Sequence, residues 1–142
     1  YWSVIVAILG VSTAQRMTVT VDGEREEVRT PVAFVAVRPY QLENYALSGA
    51  KAVREGDLAL YMAPDSGRLA LIWRALKIAL RRTEPGRDYR LRTGREIVIE
   101  TKRSEVTVAR DGERARMRSP LTFRALAGSL VVRAPIEAEE TA

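Results

Sequence analysis

The groups that could do chemistry in this chain are few in kind. None of its 142 residues is a cysteine or a histidine, which excludes thiolate nucleophiles, histidine-based triads, disulfides and the usual zinc sites. Carboxylates, hydroxyls, Arg and Lys remain, together with whatever is bound from elsewhere. The most pointed arrangement among them is Asp111-Gly112-Glu113, set between the alternating runs Glu105 to Arg110 and Arg114 to Arg118. Asp-Gly between two such runs is a strong hairpin signal, because glycine takes the positive φ of a tight turn at little cost. The turn would hold the Glu113 carboxylate on rigid backbone. The signature has an earlier copy at Asp22-Gly23-Glu24, and from Asp-Gly onward both copies run through Arg, Thr or Ser, Pro and an aliphatic to Phe34 and Phe123. Taken by itself the motif leaves two readings open, a turn or a site.

The elements that must position these groups are mostly strands. Gln15 to Val21 alternates and predicts a strand, Asp22-Gly23 turns it, and Glu27 to Val37 returns, with Pro31 tolerable at an edge. Val32 to Val37 is apolar on both faces and predicts a central strand covered on both sides. Arg38 to Glu55 is a long excursion with little periodicity, of the kind that often carries function. Asp57 to Met62 predicts another strand. After Pro64-Asp65-Ser66-Gly67, the apolar positions Leu69, Leu71, Ile72, Ala75, Leu76, Ala79 and Leu80 follow helical spacing, with Ser66 or Asp65 as N-cap. Pro85-Gly86 stops that helix. Tyr89 to Arg92, Glu96 to Thr101, Leu121 to Leu126 and Leu130 to Ala134 complete the strands. The opening Tyr-Trp-Ser-Val-Ile-Val-Ala-Ile-Leu-Gly predicts a buried helix, too short to span a membrane; with no initiator Met, it is expected to lie near the start of a piece of a longer protein.

These elements predict a mainly β domain over residues 1–136, a β-sandwich with one or two flanking helices, followed by an acidic tail over 137–142. With 46% hydrophobic residues the chain can bury a real core. The net charge is +5, and Gly67 to Arg118 holds fifteen Lys or Arg against seven Asp or Glu. That half could be a solvated surface, or could face phosphate or an anionic membrane. Aromatic residues are few and not interleaved with the basic ones, so no nucleic-acid partner is expected.

In this order the segments resemble the C-terminal half of the diacylglycerol kinase-type lipid kinases, a family that includes sphingosine kinases and is distantly similar to NAD kinases. The likeness covers nearly the whole chain. Its most specific part is Glu105 to Pro135: a strand into Asp111-Gly112-Glu113, then Pro120-Leu121-x-Phe123 and a last strand ending at Ala134-Pro135. The resemblance implies the β half of a two-domain α/β plus β kinase, in which Glu113 is the active-site carboxylate. It also implies a structural Mg²⁺ at Glu55-Gly56-Asp57-Leu58, held by Glu55 and the carbonyls of Ala52 and Asp57, with Glu55 standing where relatives have Asp. Many relatives carry an Asn pair before Pro-Tyr; here Val37-Arg38 precedes Pro39-Tyr40.

The function that this resemblance implies is that of an ATP-dependent lipid kinase acting on a hydroxyl such as that of diacylglycerol, cytoplasmic and peripheral to the membrane, with Mg²⁺ and ATP as cofactors. The family's Gly-Gly-Asp-Gly-Thr nucleotide loop belongs to an N-terminal domain. No glycine-rich phosphate loop occurs in this sequence, so ATP is expected to be bound mainly by that domain and the chain alone to be inactive. The expected partners are a lipid substrate, an anionic membrane surface and, in a homodimer, a second copy. The alternative is a non-catalytic module of the same fold that docks its basic face on a membrane or a partner.

Overall fold

The structure, a computed structural model, describes residues 14–110 and 113–126. The expected first helix, the turn residues Asp111 and Gly112, the strand expected at 130–134 and the acidic tail lie outside the described residues. Among the described residues, nine strands and three helices follow in chain order: β1 (Gln15–Val21), β2 (Glu24–Thr30), β3 (Ala33–Ala36), α1 (Pro39–Asn44), α2 (Ala50–Arg54), β4 (Leu58–Met62), α3 (Arg68–Ala79), β5 (Arg90–Gly94), β6 (Glu96–Thr101), β7 (Glu105–Arg110), β8 (Glu113–Arg118) and β9 (Leu121–Arg124). They build a four-stranded sheet in the order β2-β1-β6-β9, a three-stranded sheet β3-β4-β5 and the hairpin β7-β8. All the strand pairings are antiparallel, and the protein is mainly β, as expected.

Alternation explains the sandwich. Val19, Val21, Val28, Ile97, Ile99 and Leu121 of the four-stranded sheet meet Leu58, Leu60 and Met62 of β4 in one core, and Val106 and Val108 of β7 pack against it. The residues of β4 that point the other way, Ala59 and Tyr61, join Ala36, Leu42, Val53 and Tyr89 in a second core beneath α1 and α2. All five residues of β4 are therefore buried. Burial among these side chains pushes the Tyr61 hydroxyl up to about 12, with the neighbouring Tyr89 adding to the effect. That neutral hydroxyl donates to the Ser48 carbonyl.

The doubly covered central strand is thus β4, and the expectation placed on Val32 to Val37 is corrected. Only Ala33–Ala36 is strand there, and among the described residues it pairs with β4 alone, at the edge of the three-stranded sheet, with Phe34 half exposed. The run expected from Glu27 to Val37 is likewise two strands in two sheets. Pro31 offers no amide to a ladder, and the chain changes sheets around it. The buried Thr30 hydroxyl bridges that switch, lying 2.7 Å from the Val32 carbonyl and 2.8 Å from the Ala63 carbonyl and accepting the Val32 amide.

The Asp22-Gly23 turn forms as its residues predict, two residues long with φ of 48° and 89°, the mirror-image hairpin geometry that matches strand twist. It also does something the sequence did not show. The Asp22 carboxylate accepts the amides of Arg95 at 2.9 Å and Glu96 at 2.8 Å, and the Asp22 amide donates to the Glu96 carbonyl. The turn therefore pins the corner between β5 and β6. Gly94 makes the close approach possible, since a Cβ there would lie 2.5 Å from Asp22 Oδ2 and 2.6 Å from Val21 Cγ1. Gly94→Ala is expected to cost about 1–3 kcal/mol by overpacking. In thermal melts the Asp22→Ala/Gly94→Ala double variant should lose less than the two single losses added, because the two changes share one contact; strict additivity would disprove the pin.

Candidate functional site

The two copies of Asp-Gly-Glu, alike in sequence, differ in what they touch. Glu24 starts β2, and its carboxylate lies 2.6 Å from the Arg92 guanidinium of β5. Arg92 also reaches Glu26 at 3.6 Å, and Arg90 pairs with Glu26. These contacts cross from the three-stranded sheet to the edge strand of the four-stranded one and close the open side of the sandwich. Glu24 thus sits in a surface ion pair, its side chain 79% exposed. Glu113 starts β8, stands opposite Arg110 in the register and is exposed. Among the described residues its side chain has no hydrogen-bond or ion-pair partner.

The hairpin that carries Glu113 presents a second feature. Every residue of β8 is exposed, and alternation puts Arg114, Arg116 and Arg118 on one face, opposite Ala109, Thr107 and Glu105 of β7. None of the three makes an ion pair among the described residues. The basic surplus of the chain is therefore not spread evenly. Arg25, Arg29, Arg54, Lys77, Arg90, Arg92, Arg95 and Arg124 face carboxylates, whereas the β8 arginines face solvent. The signal for this ladder was present in the spelling Arg-Ala-Arg-Met-Arg, whose period of two matches a strand; a charge count over half the chain hid it.

The residues expected to hold a metal do lie together. Glu55 caps the end of α2, Gly56 follows at φ 97°, and Asp57 donates its amide to the Ala52 carbonyl at 3.0 Å. The turn offers oxygen donors only, the kind Mg²⁺ takes, and the Ala52 carbonyl keeps a second lone pair. Two cations stand close: Lys51 Nζ is 3.9 Å from Glu55, and Arg95 Nε is 3.9 Å from the Asp57 carboxylate. No group of three or more acidic side chains suited to a metal occurs among the described residues, so the turn would hold an ion through one carboxylate and backbone. No hydrogen bond or ion pair links this turn to Glu113 among the described residues. Two cavities of about 170 and 180 Å³ open at the surface, one lined by Gln15, Arg16, Lys102 and Arg103, the other by Ala70, Trp73, Arg74, Lys77, Arg87 and Asp88. Neither includes Glu113 or the Glu55 turn.

The helix α3 departs from expectation at its start. Its N-cap is Gly67, with no side-chain cap. Ser66 instead donates to the Pro64 carbonyl and accepts from Arg74, and Asp65 pairs with Arg29. The helix is anchored through Lys77, which lies 2.7 Å from the buried Asp88. That ammonium holds the Asp88 carboxyl below its ordinary value, with the Glu84 amide assisting.

Comparison with known proteins gives the fold a family likeness. Two solved structures from Bacillus anthracis str. Sterne, each provisionally named a diacylglycerol kinase, superpose with TM-scores of 0.54 and 0.58, at 20% and 18% identity over 84% of this chain. The chain spans 40% of the length of each, matching the C-terminal part of a diacylglycerol kinase-like chain. No protein-family model and no curated protein sequence matches it.

The Glu55 turn yields a test that needs no activity. Millimolar Mg²⁺ should raise the melting temperature of the chain and leave Glu55→Ala unmoved, since a ligand bound only by the folded state stabilises it. Equal responses from both proteins would remove Glu55 from any metal site.

Proposed function

We propose that this chain is the substrate-side, C-terminal half of an ATP-dependent lipid kinase that phosphorylates a lipid hydroxyl such as that of diacylglycerol, working peripherally at an anionic membrane surface. The observation that carries the reading is the contrast between the two Asp-Gly-Glu copies. Both carboxylates are exposed, but Glu24 pairs with the Arg92 guanidinium at 2.6 Å, whereas no neighbour among the described residues engages Glu113. The likeness in fold to the Bacillus anthracis structures supports the reaction class. No helix among the described residues is long and apolar enough to cross a membrane, and peripheral contact requires none.

Phosphoryl transfer asks little covalent chemistry of the protein and much positioning. Glu113 would accept the proton of the lipid hydroxyl as its oxygen forms a bond to the terminal phosphorus of ATP and the bond to ADP breaks. An exposed carboxylate at the start of a strand, with no ion-pair partner among the described residues, can reach a substrate and act as that base. Mg²⁺, when bound with the nucleotide, supplies charge neutralisation on its phosphates. Glu55 and the carbonyls of Ala52 and Asp57 would hold a separate, structural Mg²⁺ beside α2. The nucleotide loop would come from an N-terminal half, because no glycine-rich phosphate loop lies in this sequence.

In the two-domain kinase, Glu113→Gln should lower kcat by about 100-fold or more, the scale of lost general-base assistance, with little change in melting temperature. Glu24→Gln should leave kcat intact, and its exposed ion pair predicts a stability loss of about 1 kcal/mol at most. Equal, near-wild-type activity in both variants would return Asp111-Gly112-Glu113 to the status of a turn. For the 142-residue chain alone, calorimetric titration with Mg-ATP is expected to show no saturable binding; a micromolar isotherm would place a nucleotide site within it and overturn the division of labour.

A further inference from the structure

The helix α3 buries only one of the apolar side chains its periodicity aligned. Leu71 is buried, but Leu69 is 83% exposed, Trp73 61% and Leu80 55%, with Ile72 and Leu76 also exposed. At 3.6 residues per turn these five positions fall within an arc of about 100°, so they form a continuous apolar stripe on the side away from the sandwich. The apolar positions at helical spacing therefore do not share one covered face: Leu69, Ile72, Leu76 and Leu80 are exposed, and the buried side is Leu71, flanked by the partly buried Ala75 and Ile78. Contiguous apolar surface of this size marks a contact with something else.

The charge around the stripe narrows what that is. From Arg68 to Arg82 the sequence holds five basic residues and no Asp or Glu. Arg81 and Arg82, directly after the helix, are exposed and make no side-chain pair among the described residues. A two-fold contact between copies of this face would set like charges together, whereas an anionic surface complements them. Trp and Leu on one face, with arginines able to extend past them, is the composition of a helix that lies in the plane of a bilayer interface.

We infer that α3 is the membrane-docking element of this chain, lying in the headgroup region of an anionic bilayer with Leu69, Trp73, Leu76 and Leu80 inserted and Arg81 and Arg82 against lipid phosphates. The inference gives a place to the membrane contact proposed above, and rests on that reading only for the presence of a lipid surface. Lys77, one turn after Trp73 at the edge of the stripe, lies 2.7 Å from Asp88, and this pair ties the helix to the segment that leads into β5.

The test uses the 142-residue chain carrying Trp2→Phe, which leaves Trp73 as the single tryptophan. Vesicles of phosphatidylglycerol and phosphatidylcholine should shift Trp73 emission to the blue, and lipids brominated on the acyl chain should quench it. Pure phosphatidylcholine should bind at least tenfold more weakly. Leu69→Ser/Leu76→Ser should reduce co-sedimentation with the anionic vesicles at least tenfold, and Arg81→Gln/Arg82→Gln should reduce its salt sensitivity. All four positions are exposed, and circular dichroism and melting curves should show both variants folded. Binding that survives the helix variants but is lost in Arg114→Gln/Arg116→Gln/Arg118→Gln would overturn the assignment to α3 while leaving a membrane partner in place. Absence of any vesicle binding would overturn both. Trp73 emission already blue-shifted without lipid, or a dimer in sedimentation equilibrium that Leu69→Ser/Leu76→Ser dissolves, would show the stripe covered by this chain or by a second copy and would also overturn it.

Discussion

Burial of β4 on both faces is the constraint on which the rest of the structure depends. Leu58, Leu60 and Met62 complete the core shared with the four-stranded sheet, and Ala59 and Tyr61 complete the core beneath α1 and α2. A strand in that position cannot slip, because a shift of one residue would exchange its two sets of side chains between cores of different size. The small Ala59 sits where helices approach closely and the long Met62 where two sheets meet. Tyr61 is the one polar group the strand carries inward. Its hydroxyl is accommodated by the Ser48 carbonyl, which ties the α1 to α2 excursion to the strand that follows it. The turn at Glu55 to Asp57 is the immediate lead into β4 and so inherits its rigidity.

Much of this architecture was legible in the sequence because it depends on local signals. Alternation located β1, β6 and β7 to within a residue, and Asp22-Gly23 specified its turn type. The order of the segments, with the motifs from Glu105 onward, suggested the mainly β fold that the structure has, and solved structures at 18% and 20% identity share that fold. Illegible were the decisions made by tertiary context. Val32 to Val37 is more apolar than an edge strand needs, and its composition could not reveal that among the described residues only β4 pairs with it. Asp57 to Met62 is spelled almost as simply, yet it is the strand that both cores enclose. Helical period places Leu69, Leu76 and Leu80 on one side of the helix and Leu71 on the other, but periodicity reports that a stripe exists and not which side the protein covers.

What sequence could not distinguish is the surroundings of the two carboxylates. Glu113 was marked by its motif, yet the same motif marks Glu24, and the two diverge only because Arg92, nearly seventy residues after Glu24, reaches one of them. No window of local sequence holds that information. The same holds for charge. Pairing across the sandwich neutralises Arg90, Arg92 and Arg95, and the cations left outward-facing at β8 and after α3 carry the electrostatic character that the net charge of +5 only sums.

The Asp22 pin also bears on how the chain reaches this structure. It joins residues 73 and 74 positions apart, and the ladder of β1 on β6 that it terminates encloses all of β3, β4, α3 and β5 in one loop. The hairpins β1-β2 and β7-β8 close loops of two residues and can form within microseconds, while the pairing of β1 with β6 must wait for the enclosed segment to be ordered, the kind of non-local contact that slows folding. The four-stranded sheet is therefore assembled from an early hairpin and a late arrival. Until β6 arrives, β1 presents an unpaired edge on one side to the solvent, so the interval most exposed to mispairing with other chains is set by how quickly the enclosed segment closes.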